Sequence, residues 1–380
     1  MVDLAHRKIY QRRNSLAKAG AVKITHKSLG VERIINASTT YTRIGGSLMD
    51  STVIDAMARG AKSFTDMYQL LAASGKRIAD LTGNEAAYIT PGCASAIVLT
   101  ALALGELDES KERTEVLIDV SHRIPYDKAV TFAGKKLVEF GGAGKRSEAD
   151  LESAISDKTL AIFWIAGTYV GDDALSIETT VRIAKKHDIP VIVDAAAQLP
   201  PVSNLSFFTV KTGADLVLFS GGKALCGPQS TGLMLGSSRI IEAAAKLAAP
   251  NQGIARAFKV GKEEIFGITQ AIENYLERDH EKDLRMWQKS CEKISAKLSK
   301  ISGLSGVIHE FNQAGQPIPR VEIKFDAKLP SETANRVYEN LLVQDPAVVL
   351  DLDGPLFISP DMLKKGEVKL VIAALKKALL

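Results

Sequence analysis

Between residues 114 and 236 the chain repeats one pattern that limits its possible folds. Short runs rich in Val, Ile, Leu and Phe alternate with stretches of helical periodicity. The runs are TEVLIDV (114–120), KKLVEFG (135–141), LAIFWIA (160–166), IPVIVD (189–194), ADLVLFS (214–220) and TGLMLG (231–236). A strand apolar at successive positions has no polar face to offer water, so it is buried on both sides. Helical segments such as SIETTVRIAKKHD (176–188) supply the cover. The pattern predicts an α/β fold with a mostly parallel sheet between helical layers.

The flanking regions extend this reading. Apolar residues recur at three- and four-residue spacing from Leu48 through Leu81, which predicts helix. The segment EAAYITPGCASAIVLTALALG (85–105) reads as a strand, a Pro-Gly break and an apolar helix. Beyond Gly236 the periodicity is helical over 238–249 and 262–301. Strands are then predicted in PRVEIKFD (319–326) and VVLDLDGPLFISP (348–360), with helices at 331–343 and 366–379. The expected organisation is an N-terminal arm (1–47), a large domain (48–250), and a connector helix with a smaller α+β domain (251–380). Residues 1–30 are polar and basic and read as a helical arm or extension. At 380 residues the chain is long enough for two units.

Composition excludes several classes. With 48 Lys and Arg against 44 Asp and Glu, the small positive excess permits an anionic ligand but does not point to nucleic acid. Cys93, Cys226 and Cys291 lie far apart without a CxxC pair, which argues against a disulfide framework and a zinc site. No metal is required by any motif. The N-terminus has no apolar core of a secretory signal, and no run approaches a membrane span. The expected compartment is a reducing cytoplasm.

In open α/β sheets, ligands gather at the carboxyl ends of the strands. IPVIVD delivers Asp194 there, as a cap for the next helix or as partner to a buried cation. ADLVLFS delivers Ser220, then Gly221, Gly222 and Lys223. Lys223 is either a surface lysine in a glycine turn or a lysine at an apolar strand end. In the second setting lost hydration favours the neutral, nucleophilic amine. PGCAS delivers a helix N-terminus at Gly92–Ser95, suited to a phosphate or simply following a turn. His122 falls just past a strand, as a structural or a catalytic residue. Each signal alone is modest. Together, an anion site, a histidine, a strand-end Asp and a later strand-end Lys are the set that pyridoxal phosphate requires. Its aldehyde needs a lysine, its ring nitrogen a carboxylate, its phosphate N–H and hydroxyl donors, and its ring a stacking partner.

At these residues the sequence resembles the fold-type I, aminotransferase-like pyridoxal-phosphate enzymes, and more narrowly their selenocysteine-synthase-like branch. The resemblance covers about residues 30–380. It rests on RIINASTTYTRIGGSLM (33–49), SHRIPYDKA (121–129), VDAAAQLPP (193–201), FSGGKALCGPQSTGLMLG (219–236), ARAFKVGKEE (255–264) and FISPDMLKKGE (357–367). It implies that Lys223 anchors pyridoxal 5'-phosphate through a Schiff base and shuttles the Cα proton. Asp194 would pair with the ring nitrogen, and His122 would stack on the ring. Gly92, Cys93 and Ala94 would cradle the phosphate, with Ser220 adding a hydroxyl. Gln198 or Thr168 would meet the phenolic oxygen. Gln229 and Ser230 would border a site shared with a neighbouring subunit, so at least a homodimer is implied. Thr42, Arg43, Arg256 and Lys259 would contact substrate carboxylate or phosphate.

The implied activity is that of an ammonia lyase. It would eliminate ammonia and water from a β-hydroxy amino acid or amino sugar acid, a small-molecule substrate. The alternative is other pyridoxal-phosphate amino-acid chemistry: transferase, aminotransferase, racemase or aldolase. The chain departs from the family pattern at Ser38–Thr40, at Ala255-Arg256 where Gly-Arg is usual, and at Ser359-Pro360 where Asn-Pro is usual. All three departures fall on the expected substrate side.

Overall fold

Two sheets organise the chain. The structure, a computed structural model, describes residues 23–167, 173–352 and 354–380. The larger sheet has seven strands in the order β2-β8-β7-β6-β5-β3-β4. These are β2 (Ala86–Thr90), β3 (Glu115–Asp119), β4 (Lys136–Phe140), β5 (Thr159–Ile165), β6 (Val191–Asp194), β7 (Leu216–Ser220) and β8 (Gly232–Gly236). All neighbours run parallel except β8, which is antiparallel to both β2 and β7. The central strands are buried at nearly every residue, as their unbroken apolar runs require. Strand β4 at the edge keeps Lys136 and Glu139 outward, and such charges discourage edge-to-edge pairing.

The covering helices follow from the sequence chemistry. Helix Cys93–Leu107 is apolar on most of its circumference, and nine of its residues are buried. Helix Ile177–Lys186 is amphipathic instead. Ser176 caps it by accepting the Thr179 N–H at 3.2 Å, and Lys185 and Lys186 sit in its last turn, where cations suit the negative end of the helix dipole. Helix Lys262–Glu277 buries Ile265, Ile268, Ala271, Ile272 and Tyr275 in the same core as the large sheet.

The smaller sheet has five strands in the order β1-β11-β12-β10-β9. They are β1 (Ile34–Ala37), β9 (Leu304–His309), β10 (Arg320–Phe325), β11 (Ala347–Leu352) and β12 (Leu356–Ile358). Strand β1 pairs parallel with β11, Ile34 opposite Ala347 and Ala37 opposite Leu350. A second apolar core, including Ile35, Ala37, Cys291, Ile294, Leu350 and Leu375, forms between this sheet and helices His280–Leu298, Thr333–Leu342 and Glu367–Ala378. Residues of the N-terminal segment are thus built into the C-terminal sheet. Of the predicted arm, residues 1–22 lie outside the described residues. Among the described residues no helix is long and apolar enough to cross a membrane.

Candidate active site

The parallel strands end on one side of the large sheet and deliver their terminal residues together. Strand β5 lies beside β6 with Ile165 opposite Asp194, and β6 lies beside β7 with Asp194 opposite Leu218. Asp194 is 5% exposed. Its Oδ1 accepts the Ala196 N–H at 3.0 Å and lies 3.7 Å from the Cys93 thiol sulfur. Its Oδ2 accepts no hydrogen bond from the described residues. Burial pushes the Asp194 carboxyl above the usual carboxylate range, opposed by the Ala196 N–H and the positive charge of Lys223. The same burial, reinforced by Asp194, holds the Cys93 thiol well above its ordinary range. A buried carboxylate with an open oxygen calls for a cationic or proton-donating partner.

His122 ends a short 3-10 turn (Val120–His122) directly after β3. It is 1% exposed, and its Nδ1 accepts the Ile165 N–H at 3.2 Å. The ring meets Trp164 edge-on at 5.2 Å. Its Nε2 is buried without a partner. Desolvation lowers the imidazole from 6.5 to about 4, so the ring is neutral at physiological pH. The strand end behind it is fixed by Asp119, whose Oδ1 accepts from Ser121 N at 2.8 Å, Ser121 Oγ at 2.7 Å and Arg146 Nε at 3.0 Å. Asp119 and Arg146 form a buried ion pair, with side chains 3% and 5% exposed.

Helix Cys93–Leu107 starts at Gly92 with φ 90°, and no side chain caps it. That conformation is costly for a residue with a Cβ. An uncapped first turn offers its N–H groups and the positive end of the dipole to an anion. Gly232 on β8 presses against the turn: a Cβ there would collide with Gly92 C and Cys93 N. Lys223 follows Gly221 and Gly222, which close the strand end against Thr231 and Gln229; the Gly221 N–H donates to Thr231 O at 2.8 Å. Ser220, half-buried, ends β7 opposite Gly232.

The structure brings part of the predicted substrate side to the same turn. Ser47 donates both its N–H and its hydroxyl to Gly222 O, each at 3.0 Å. Gln229 Nε2 donates to Thr42 O at 2.9 Å, and the Arg43 guanidinium lies 5.5 Å from the Tyr41 ring centroid. Ser230 donates to Glu264. Gln198 gives its amide N–H to Ala314 O at 2.9 Å, which ties the strand β6 exit to the smaller unit. Arg256 and Lys259 line a separate surface groove within this chain, beside Phe64 and Lys262, and Arg256 donates to Pro250 O at 2.9 Å. Thr168 lies outside the described residues. Sequence reasoning did not anticipate the contact of the Cys93 thiol with Asp194, because those residues are 101 positions apart. It also missed the Asp119–Arg146 pair. The acid ending β3 was the available signal.

Residues 34–313 match the family described as SelA: L-seryl-tRNA selenium transferase. The chain belongs to this family. It is 32% identical to D-glucosaminate-6-phosphate ammonia lyase from Salmonella typhimurium, over 93% of this chain and 97% of that protein. It is 29% identical to 5'-C-glycyluridine monooxygenase-decarboxylase from Streptomyces sp, over 96% of this chain and 94% of the relative. A solved structure of D-glucosaminate-6-phosphate ammonia-lyase superposes with a TM-score of 0.80 at 28% identity, covering 94% of this chain and 99% of that one. Sphingomonas wittichii serine palmitoyltransferase shares the fold, with a TM-score of 0.59 at 14% identity, 98% of this chain and 96% of that one. The chain is a fold-type I pyridoxal-phosphate enzyme.

The residues present fit that cofactor on three structural observations. Asp194 is a buried carboxylate with hydrogen bonds at Oδ1 alone among the described residues, His122 keeps an unpartnered buried Nε2, and the Cys93 turn is uncapped. A bound group with a ring nitrogen and a phosphate would engage the Asp194 carboxylate and the uncapped turn, and its flat face would cover the His122 ring.

Proposed function

We propose that this chain is a pyridoxal-phosphate-dependent ammonia lyase acting on a β-hydroxy amino acid, with an amino sugar acid as the substrate class. The observation that carries the reading is the near end-to-end similarity to the Salmonella ammonia lyase, in sequence and in structure. In this reading Lys223 holds the cofactor at rest. Pyridoxal phosphate, when bound, supplies an electron sink for the charge left at the substrate Cα. Asp194 holds a proton at the ring nitrogen, and its burial strengthens that interaction. His122 would lie against the ring as a neutral imidazole. The Gly92 turn, through the N–H groups of Cys93 and Ala94, and the Ser220 hydroxyl would bind the phosphate. Lys223, once released, takes the Cα proton on Nζ and delivers it to the departing β-hydroxyl. The Cα–H and Cβ–O bonds would break with loss of water, Lys223 would displace the product nitrogen as it retakes the cofactor, and hydrolysis of the released enamine would give a 2-oxo acid and ammonia.

Gln198 and Thr168 belong to this reading as contacts to the phenolic oxygen. Thr42, Arg43, Gln229, Arg256 and Lys259 belong to it as substrate-side residues. Arg256 and Lys259 would act across an interface between two copies of the chain. Exposed Ile54, Phe64 and Tyr68 support a homodimer or larger assembly, which light scattering on the purified protein tests. The expected compartment is the cytoplasm.

A second reading, different pyridoxal-phosphate chemistry at the same site, is favoured by the Streptomyces relative, which matches over a similar span under another activity. Release of ammonia and a 2-oxo acid without an added keto acceptor distinguishes the first reading. The direct test of the anchor is the visible band of the purified protein, removed by borohydride, with a pyridoxyl group mapped to Lys223. Lys223→Ala is expected to lose both band and turnover. Undiminished ammonia release in that variant defeats the assignment.

A further inference from the structure

A cavity of about 190 Å³ lies between the two apolar cores, beside the turn that carries Lys223. Ala224 and Cys226 form one wall. Tyr275, Arg278 and Trp287 form another, and Asp361 closes it from the smaller unit. At about 30 Å³ per water, the space holds roughly six waters or a short carbon chain.

Two polar atoms in this lining are unsatisfied, although the backbone N–H groups of Asp361 and Met362 also act on the Asp361 carboxyl. Tyr275 is 3% exposed, and its hydroxyl is buried without a hydrogen-bond partner; Asp361 Oδ1 is likewise buried and unpartnered. Buried polar groups in folded proteins are overwhelmingly paired, and an exception asks for an explanation such as a ligand. The two groups are complementary to one chemistry. A carboxylate oxygen accepts, and a phenolic hydroxyl both donates and accepts. Two charged or titratable lining groups are already engaged: Arg278 Nε lies 3.4 Å from Asp283 Oδ2, and His280 Nε2 lies 2.8 Å from Tyr275 O. The Arg278 charge is thus balanced inside the wall, and nothing there favours a second anion beside Asp361. Aromatic faces with hydrogen-bonding groups at their rims suit the C–H and O–H surfaces of a polyol.

We propose that this cavity binds the hydroxylated carbon chain of the substrate, beyond the reacting carbons, through Asp361 and Tyr275. The proposal rests on the reading of the site as one for an amino sugar acid and locates that selectivity in residues outside the cofactor cradle. Burial and the nearby Asp351 raise the Asp361 carboxyl to about 7, the behaviour of an acid awaiting a hydrogen-bonding partner.

The test uses the holoenzyme and D-gluconate, a polyhydroxylated acid without an amine, which cannot react with the cofactor. Its affinity is measured by calorimetry for the unmodified protein, Asp361→Asn and Tyr275→Phe, with glycolate as the chain-free control. Gluconate is expected to bind about tenfold or more weakly to each variant, since Tyr275→Phe deletes a hydrogen-bonding hydroxyl and Asp361→Asn replaces a charged acceptor with a weaker neutral one. Glycolate is expected to bind weakly and equally to all three. Because Tyr275→Phe removes an unsatisfied buried hydroxyl and Asp361→Asn removes a costly buried charge, the ligand-free melting temperatures should be unchanged or higher. Unchanged gluconate affinity in both variants overturns the proposal, as does absent gluconate binding to the unmodified protein. Variants with lowered melting temperature and unchanged affinity assign Tyr275 and Asp361 to structure. Ammonia release is not the readout. A protein that binds gluconate through these side chains yet releases no ammonia keeps the cavity assignment and loses the lyase reading, and an active lyase with unchanged affinities does the reverse.

Discussion

Removing Arg146 tests how the His122 strand end is held. Arg146 Nε and Asp119 Oδ1 lie 3.0 Å apart, with side chains 5% and 3% exposed. Arg146→Met leaves Asp119 as an uncompensated buried charge, and breaking such a pair on one side costs about 3–5 kcal/mol. Asp119 would keep its two hydrogen bonds from Ser121, so the cost should fall at the lower end, about 3 kcal/mol. The double variant Asp119→Asn/Arg146→Met removes both charges and keeps an acceptor for Ser121. It should recover most of the loss, leaving a coupling of about 2 kcal/mol between the sites. Urea unfolding of a Trp287→Phe background followed by Trp164 fluorescence reads this locally, since Trp164 packs against His122 at 5.2 Å. A cost below about 1 kcal/mol for Arg146→Met, or a double variant as unstable as the sum of the singles, would refute the reasoning.

Further tests address the same region. His122 is neutral when folded, with its value lowered from 6.5 to about 4, so the unfolded chain binds the proton more readily between those limits. The contribution is fully present above 6.5 and is lost as pH falls through about 4, on the order of 3 kcal/mol; His122→Gln should remove that part of the acid sensitivity in denaturation curves from pH 7 to 4. A Cβ at Gly232 would strike backbone atoms of Gly92 and Cys93, so Gly232→Ala should displace the helix turn and cost about 1–3 kcal/mol. It should also weaken retention of pyridoxal phosphate, measured by equilibrium dialysis with absorbance detection. Retention equal to that of the unmodified protein would show that the turn can shift freely. Lys223→Ala should separate anchoring from folding: the visible band and turnover vanish while the unfolding midpoint moves little.

Much of the large sheet is legible in the sequence because buried parallel strands write their environment into unbroken apolar runs. The six runs from 114 to 236 correspond to β3 through β8. The Lys, Asp and His of the site are legible for a related reason, since they directly follow those runs. Strands β1 and β9 were not predicted. IINA is only four residues long and acquires its partner at 347–350, so nothing local marks it. The helical stretches 48–81 and 262–301 each divide into two helices. Both breaks carry an Asp: Asp66 accepts the Tyr68 and Gln69 N–H groups, and Asp279 accepts that of Lys282. Read as N-caps, these residues were the missing signal. The cavity between the cores was not legible, because its lining converges from separate elements and the Arg278 break without a shared motif.

The pairing of β1 with β11 sets an order of assembly. Residues 86–277 contain all the strands of the large sheet and the helix that seals its core, so that unit can consolidate while the ribosome is still adding residues. Ile34–Ala37 must wait for Ala347–Leu352, more than three hundred positions later, and closing so long an interval makes this among the slowest contacts to form. The segment just after β1 contains Ser47, which docks on Gly222 beside Lys223. A nascent chain halted before residue 347 would therefore have its large sheet but lack the strand that pairs with Ile34–Ala37. Ordering of the segment from Ile34 to Ser47 would then follow synthesis of the C-terminal residues.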